Sequence, residues 1–343
     1  MNADLASVLW DALNSSQSPT IVPHRHPDGD ALGSALAIFH SLQQAQGAPH
    51  VVVPTSIPKM LHWMPGVEQA IVAPEHPDIA QQAIDKADLL VFVDFGDLRR
   101  LDHLVETVQQ STAPIVLIDH HPSPKITAEY MWWDPHAPAT ALLIYRLFQK
   151  GQRRISSTIA QCLLTGIITD TGRFNYSLSP EVFTTTADLI AHGADLETII
   201  QRIFYRFSEN QLRFWGHTLS EQMEIIHPYP IALMIVSHKD FIQWKITEDD
   251  LEGLVNFPLQ MKDIFISILI RETPEEVKLS FRSRGPYPVN RWASEYFQGG
   301  GHFHAAGARS FQPLKQVIAQ VKASLPHFWK SIHDTAHHQT TNS

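Results

Sequence analysis

Short apolar runs alternate with amphipathic stretches along the first half of the chain. Residues 20–23, 51–54, 89–93 and 115–118 form apolar runs that indicate buried strands. Helical spacing of apolar residues predicts helices at 30–46, 78–86, 98–109, 139–150, 156–169 and 180–192. Strands that alternate with helices are typical of a parallel sheet. The first half therefore predicts an α/β fold built on a parallel sheet.

The pattern changes after residue 196. Residues 197–224 are polar and amphipathic without a strand signal, which predicts a helical linker. Alternation then predicts strands at 231–236, 264–271 and 277–284, and a glycine-rich turn at 299–301 before a final helix. The predicted division is a first α/β domain at 1–196, the linker at 197–224, a smaller α/β domain at 225–330 and a disordered polar tail at 331–343.

Composition narrows the class of protein. A chain of 343 residues with 44% hydrophobic residues is long enough for two globular domains. The net charge of −9 argues against a protein that wraps long nucleic acid, because such proteins carry a basic surface, but it allows short nucleotides. The single cysteine, Cys162, and the lack of an apolar stretch of about 18 residues predict a cytoplasmic protein without a membrane span.

Aspartates and histidines gather where the predicted strands and one helix end. The chain has 20 histidines. The residues at these ends are His24, Asp28, Asp30, Asp94, Asp119, His120, His121 and Asp170. Because ligands bind outside the carboxyl ends of strands in open α/β sheets, we expect these side chains to converge.

So many carboxylates repel one another unless cations neutralise them. The mixture of carboxylate and imidazole predicts two divalent metal ions, with Mn²⁺ favoured and Mg²⁺, Co²⁺ or Zn²⁺ as alternatives. A single aspartate at a strand end can simply cap a turn or helix, and Asp30 is placed to cap a helix that begins at Ala31. The joint occurrence of these aspartates and histidines at the ends of successive predicted elements favours a metal centre.

These residues lie in four motifs that resemble those of the DHH phosphoesterases. The motifs are HRHPDGD at 24–30, VDFGD at 93–97, DHH at 119–121 and TDTG at 169–172. In the second half, SFRS at 280–283 and GGGH at 299–302 resemble the C-terminal domain that accompanies this family. Chain length favours its oligoribonuclease and 3′-phosphoadenosine-5′-phosphate phosphatase branch, the NrnA-like proteins.

The resemblance implies a role for each motif residue. His24 and Asp28 would hold one metal ion, Asp30, His120 and Asp170 the other, and Asp94 would bridge the two. His121 would handle a proton near the scissile phosphate, with Asp119 orienting a neighbouring histidine. Substrate binding is assigned to the second domain, through Arg282, Ser283, Gly299, Gly300, Gly301 and His302.

The implied enzyme degrades short oligoribonucleotides to 5′-mononucleotides and dephosphorylates 3′-phosphoadenosine-5′-phosphate to AMP, in a cleft between the domains. It would bind neither long duplexes nor membranes, and a homodimer is allowed. The alternatives are a cyclic di-AMP phosphodiesterase, a RecJ-like single-strand exonuclease and a pyrophosphatase or exopolyphosphatase. A nucleotide-binding sensor without catalysis predicts the loss of at least one ligand, and every ligand position is filled.

Overall fold

The computed structural model describes residues 3–45, 47–205 and 207–340, with side chains described as far as Ile332. The chain forms two compact units, Met1–Arg206 and Phe207–Ser343. The boundary falls inside the segment for which a linker is expected. No helix within the described ranges is long and apolar enough to cross a membrane.

The first unit contains a six-stranded parallel sheet, which confirms the predicted α/β fold. Its strands are β1 (Pro19–Pro23), β2 (His50–Val53), β3 (Ile71–Val72), β4 (Leu89–Val93), β5 (Ile115–Asp119) and β6 (Tyr130–Trp133). Their order across the sheet is β3-β2-β1-β4-β5-β6, and every pair is parallel. The chain therefore winds outward from β1 in both directions, which places a topological switch point between β1 and β4.

Helices cover both faces of this sheet. They are α1 (Ala3–Ser15), α2 (Gly29–Gln44), α3 (Pro77–Asp85), α4 (Val105–Gln110), α5 (Thr140–Lys150), α6 (Ser157–Asp170), α7 (Pro180–Ala191) and α8 (Leu196–Phe204). Successive strand residues point to opposite faces, so Ile21 packs beneath α2, α5 and α6 whereas Val22 packs beneath α3 and α4. This double burial explains why the central strands are continuous apolar runs.

Helices α2 and α6 approach each other closely. A Cβ on Gly33 would lie 2.4 Å from the carbonyl oxygen of Cys162, and a Cβ on Gly166 would lie 2.7 Å from Oδ1 of Asp30. Larger residues at these two positions would push the helices apart. The glycines therefore bring the start of α2, which carries Asp30, close to α6, which ends at Asp170.

The second unit contains a mixed six-stranded sheet. Its elements are α9 (Glu209–His217), β7 (Met223–Ile225), β8 (Ile231–Val236), α10 (His238–Trp244), β9 (Ile266–Glu272), β10 (Val277–Ser283), α11 (Val289–Phe297), β11 (Gly300–His302), β12 (Ala305–Ser310) and α12 (Leu314–Thr340). The strand order is β11-β12-β10-β9-β8-β7, and only the β8–β9 pair is parallel. Helices α11 and α12 pack on one face, with Trp292 and Phe328 in the core. Helices α9 and α10 pack on part of the other face.

Three predicted elements differ in the structure. Residues 98–109 are not one helix: a 3-10 helix, Leu98–Leu104, is interrupted at Asp102, whose φ is 55°, and α4 follows. The glycines at 299–301 do not form a free turn, because Gly300 and Gly301 pair with β12 in a hairpin. The end of the segment expected to be a linker contains β7, a short edge strand.

The final helix also continues into the segment for which a disordered tail is expected. Helix α12 extends to Thr340, and residues 341–343 lie outside the described part of the chain. Trp329 and Ile332 pack against the second core. Apolar contacts with the second core thus extend to Ile332, beyond the boundary expected at residue 330.

Candidate metal centre

The metal-ligand candidates meet at the carboxyl edge of the first sheet. His24 follows β1, Asp94 follows β4, and His120 follows β5. Because β1, β4 and β5 are neighbours, the ends of all three strands lie side by side. Asp28 caps α2 by accepting hydrogen bonds from the N–H groups of Asp30 and Ala31, at 2.9 and 3.0 Å. Asp28, rather than Asp30, is therefore the residue that caps this helix.

The structure brings these side chains together in three overlapping groups. Within each group the candidate ligand atoms lie within 4.8 Å of one another. The first group is His24, Asp28 and Asp94, the second is Asp30, His120 and Asp170, and the third is Asp94, His120 and His121. Nε2 of His24 lies 3.4 Å from Oδ2 of Asp94, whereas Nε2 of His120 lies 3.4 Å from Oδ1 of the same carboxylate. Asp94 therefore presents one oxygen to each of the first two groups.

The charges in the cluster are unbalanced without a cation. Burial raises the pKa of Asp30 well above its usual value, and the charges of Asp94 and Asp170 raise it further. Burial, followed by the charge of Asp94, raises the pKa of Asp170 to about 7. A bound divalent cation would remove this repulsion. The oxygen and imidazole donors, their spacing and their mutual repulsion all fit divalent metal ions.

The pKa values of the two buried histidines, His24 and His120, are raised as well, which for an imidazole favours the charged form. Burial lowers the pKa of His120, but hydrogen bonding to Asp94 and the charge of Asp30 outweigh it and raise the pKa to about 10. Burial also opposes ionisation of Asp94, yet His120 and His24 hold the pKa of this carboxyl well below its usual range. The surrounding carboxylates therefore favour a proton on His120 beside Asp94 when no cation is bound.

These shifts predict an inverted pH dependence for the metal-free protein. The pKa of Asp170 rises from 3.8 to about 7 on folding, and that of His120 rises from 6.5 to about 10. At a pH between the unfolded and the folded pKa of either group, the folded state holds a proton that the unfolded state has lost. The free energy of unfolding should therefore fall as pH rises from about 5 to about 9. Metal ligands bind in their deprotonated forms, so Mn²⁺ should raise the melting temperature more at high pH.

Thermal unfolding in EDTA and in excess Mn²⁺ at several pH values tests this prediction. Asp170→Asn, which mimics the protonated carboxyl, should weaken the pH dependence in EDTA. A melting temperature that rises with pH across this range in EDTA would contradict the electrostatic account.

Asp119 and His121 form a separate pair beside the ligands. Oδ1 of the fully buried Asp119 accepts hydrogen bonds from Nδ1 of His121, at 2.8 Å, and from its backbone N–H, at 3.1 Å. In this pair Nδ1 of His121 is the donor and the Asp119 carboxylate oxygen is the acceptor. The His121 side chain is 42% exposed. Asp119 thus fixes the orientation of a partly solvent-accessible imidazole.

In the second unit, the strand register arranges the candidate substrate-binding residues. Arg282 pairs across β10 and β12 with Ala305, which pairs with His302 on β11. Directly paired residues share a face of the sheet, so Arg282 and His302 lie on one face, separated by the small side chain of Ala305. This face is opposite to the one that packs on α11 and α12, since Phe281 and Ser283 alternate with Arg282.

The other candidates in this unit have structural contacts. The hydroxyl of Ser283 donates to the carbonyl oxygen of Tyr287 at 2.6 Å, so it is already engaged. A Cβ on Gly299 would lie 2.2 Å from the carbonyl oxygen of Gly307, and Gly301 has a φ of 143°. Gly299 and Gly301 are therefore required by the close hairpin. Gly300 is exposed, and a Cβ there would meet nothing within 4 Å.

Sequence reasoning did not assign site roles to Trp133, at the end of β6, Ala137, in the following loop, and Thr140, at the start of α5, which all contact the cluster. One signal was available for Thr140. Helix α5 begins after Ala139, which offers no side-chain cap. A buried helix start without a capping residue indicates that another side chain satisfies its N–H groups.

The fold and this centre together define a class: α/β proteins with a carboxylate and imidazole metal centre at a sheet edge, followed by a mixed-sheet unit. The sequence matches the DHH family, N-terminal domain, over residues 19–167 and the DHHA1 domain over residues 231–326. The chain belongs to the DHH family and carries the DHHA1 domain, as the resemblance predicted.

Individual relatives extend over most of the chain. An exopolyphosphatase-related protein from Bacteroides fragilis has 30% sequence identity and a TM-score of 0.91, covering 97% of this chain and 98% of its own. The bifunctional oligoribonuclease and PAP phosphatase NrnA of Thermus thermophilus is 28% identical over 88% of this chain and 87% of its own. The cyclic-di-AMP phosphodiesterase PdeA of Listeria monocytogenes is 25% identical over 95% of this chain and 50% of its own. These relatives support an enzyme of the phosphoesterase class.

Proposed function

We propose that the protein is a two-metal phosphoesterase that degrades short oligoribonucleotides to 5′-mononucleotides and dephosphorylates 3′-phosphoadenosine-5′-phosphate to AMP. The observation that carries the proposal is the carboxylate of Asp94. One of its oxygens faces His24 and the other faces His120, each at 3.4 Å. A carboxylate presented in this way to two ligand groups can bridge two cations.

The residues divide between two metal positions. His24 and Asp28 would hold one ion, and Asp30, His120 and Asp170 would hold the other, with Asp94 shared. A pair of divalent ions, with Mn²⁺ favoured, supplies charge stabilisation for phosphoryl oxygens and a nucleophile at neutral pH. His121, oriented by its hydrogen bond to Asp119, would transfer a proton to or from the reacting phosphoester.

The substrate assignment rests on charge, on the second unit and on the relatives. A net charge of −9 suits a substrate with few phosphates, which local cations can bind. Arg282 and His302 on one face of the second sheet supply donors for a phosphate or a base edge. The curated name of the Thermus thermophilus relative combines both proposed activities. The Listeria monocytogenes relative makes cyclic di-AMP the second candidate substrate.

A turnover assay on the purified full chain with Mn²⁺ tests the proposal. The substrates are a 5′-phosphorylated RNA dinucleotide, 3′-phosphoadenosine-5′-phosphate, cyclic di-AMP, pyrophosphate and a long single strand. Rapid hydrolysis of the first two supports the proposed function. Activity confined to any of the other three would retain the metal centre and reassign the substrate. Mn²⁺ binding without turnover of any substrate would favour a nucleotide-binding sensor.

Arg282→Ala should weaken substrate binding more than it slows the chemical step. A charge-assisted hydrogen bond contributes about 1.5–3 kcal/mol, so KM should rise about 10- to 100-fold with a smaller change in kcat. Arg291→Ala is the control, because Arg291 lies on α11 and pairs with Glu295. A fall in kcat at unchanged KM would place Arg282 in the catalytic step instead.

A further inference from the structure

The segment 133–141, from the last residue of β6 to the first turn of α5, contacts the metal-ligand candidates from outside. The indole Nε1 of Trp133 donates to the carbonyl oxygen of His121 at 2.8 Å. Nδ1 of His120 donates to the carbonyl oxygen of Ala137 at 3.0 Å. This second bond fixes a proton on Nδ1, so Nε2, the nitrogen that faces Asp94 and Asp170, is the one that would bind a cation once its own proton is lost.

Thr140 makes two hydrogen bonds to two different ligand carboxylates. Its backbone N–H donates to Oδ2 of Asp30 at 2.7 Å, and its hydroxyl donates to Oδ1 of Asp94 at 2.8 Å. The next N–H, of Ala141, donates to Oδ1 of Asp30 at 2.8 Å. Thr140, Asp30 and Asp94 are all buried, with at most 2% of each residue exposed.

The start of helix α5 is capped by a residue from a different helix. Helix α5 has no side-chain cap of its own, and Asp30 from α2 satisfies its first N–H groups. The positive end of the α5 dipole thus faces an anionic ligand. The Thr140 hydroxyl can only donate to the ionised Asp94 carboxylate, so it also fixes the rotation of that group.

We propose that Thr140 is a positioning residue that sets the carboxylates of Asp30 and Asp94 together, and thereby couples the two metal positions. Asp94 belongs to the group with His24 and Asp28, and Asp30 belongs to the group with His120 and Asp170. A single buried threonine therefore contacts one carboxylate from each group. The inference rests on the proposed metal centre but not on the identity of the substrate.

Thr140→Val tests the proposal because it removes the hydroxyl and keeps the shape of the side chain. Outer hydrogen-bond partners of metal ligands typically contribute about 10- to 100-fold in affinity, so Mn²⁺ binding to the full chain should weaken by that factor. Electron paramagnetic resonance of free Mn²⁺ and calorimetric titration both measure this binding without turnover. Thr140→Ser, which retains the hydroxyl, should restore affinity close to that of the wild type.

Thr20→Val is the matched control. Thr20 is also fully buried, and its hydroxyl donates to the carbonyl oxygen of Ala83 at 2.8 Å, away from the ligands. This variant should lose some stability and keep its Mn²⁺ affinity. Circular dichroism in EDTA checks the folding of each variant, and Thr140→Ala, which places no methyl group against Asp94, replaces Thr140→Val if that variant does not fold.

The outcomes separate this inference from the proposed function. Unchanged Mn²⁺ affinity in a folded Thr140→Val or Thr140→Ala protein overturns the role of Thr140 while the metal centre stands. A weakened affinity that Thr140→Ser does not restore also overturns it, because shape rather than the hydroxyl would then be responsible. Failure of the wild-type protein to bind any of Mn²⁺, Mg²⁺, Co²⁺ and Zn²⁺ refutes the proposed metal centre itself.

Discussion

Asp94→Asn should reduce phosphoester turnover by about 1000-fold or more, because loss of the shared negative charge and of one of the two oxygens removes several kcal/mol of transition-state stabilisation. The asparagine side chain retains the shape of the aspartate, but it offers one neutral oxygen instead of two charged ones. His24 or His120 would then face an NH2 group in place of the carboxylate oxygen that now lies 3.4 Å away, and both would lose the negative charge beside them. Mn²⁺ binding should therefore weaken together with turnover.

The opposite end of the same strand provides a matched control. Asp88 precedes β4, and its carboxylate accepts hydrogen bonds from the N–H groups of Gln17 and Ser18, at 2.7 and 3.0 Å. Asp88→Asn should lower the melting temperature slightly and leave turnover and Mn²⁺ affinity unchanged. Turnover near the wild-type rate in Asp94→Asn, after removal of metal and readdition of Mn²⁺, would refute the two-metal proposal.

The central strands could be predicted from sequence because burial on both faces imposes continuous apolar runs. Leu89–Val93 is the clearest case, with all five residues buried. The edge strands lack this signal. Ile71–Val72 has only two residues, both half-buried, and Tyr130–Trp133 has one fully buried residue among its four. Sequence periodicity alone does not distinguish such segments from loops.

The candidate ligands could be predicted because strand order places particular side chains at one sheet edge. His24, Asp94 and His120 each follow a strand directly, so their convergence required only a parallel sheet with β1, β4 and β5 adjacent. The surrounding contacts could not be predicted in this way. Ala137 acts through its carbonyl oxygen and Thr140 partly through its N–H, and every residue other than proline carries both groups.

The second unit illustrates a different limit. A run of three glycines indicates backbone freedom, but it does not say whether a ligand or another strand approaches. In the structure Gly299 and Gly301 accommodate the close approach of β12, whereas Gly300 faces open space. Similarly, Ser283 follows Arg282 in the motif, yet strand alternation turns its hydroxyl toward Tyr287 and away from the face that carries Arg282.

His121→Asn should lower kcat by about 10²- to 10⁴-fold, the usual contribution of a general acid or base, while Mn²⁺ affinity stays near that of the wild type. The asparagine amide can replace the Nδ1–H donor to Asp119, which lies 2.8 Å away in the wild type, but it removes Nε2. Kinetics and Mn²⁺ titration of the same preparation measure both quantities.

The same substitution distinguishes two possible roles of His121, because this residue also belongs to the group with Asp94 and His120. A ligand role predicts that Mn²⁺ affinity and turnover fall together, whereas a proton-transfer role predicts that turnover falls alone. His26→Asn is the control, since His26 lies exposed in the loop after β1 with a φ of 51°, a conformation that asparagine tolerates. A parallel loss of affinity and turnover in His121→Asn, absent from His26→Asn, would make His121 a metal ligand and leave the proton transfer to another group.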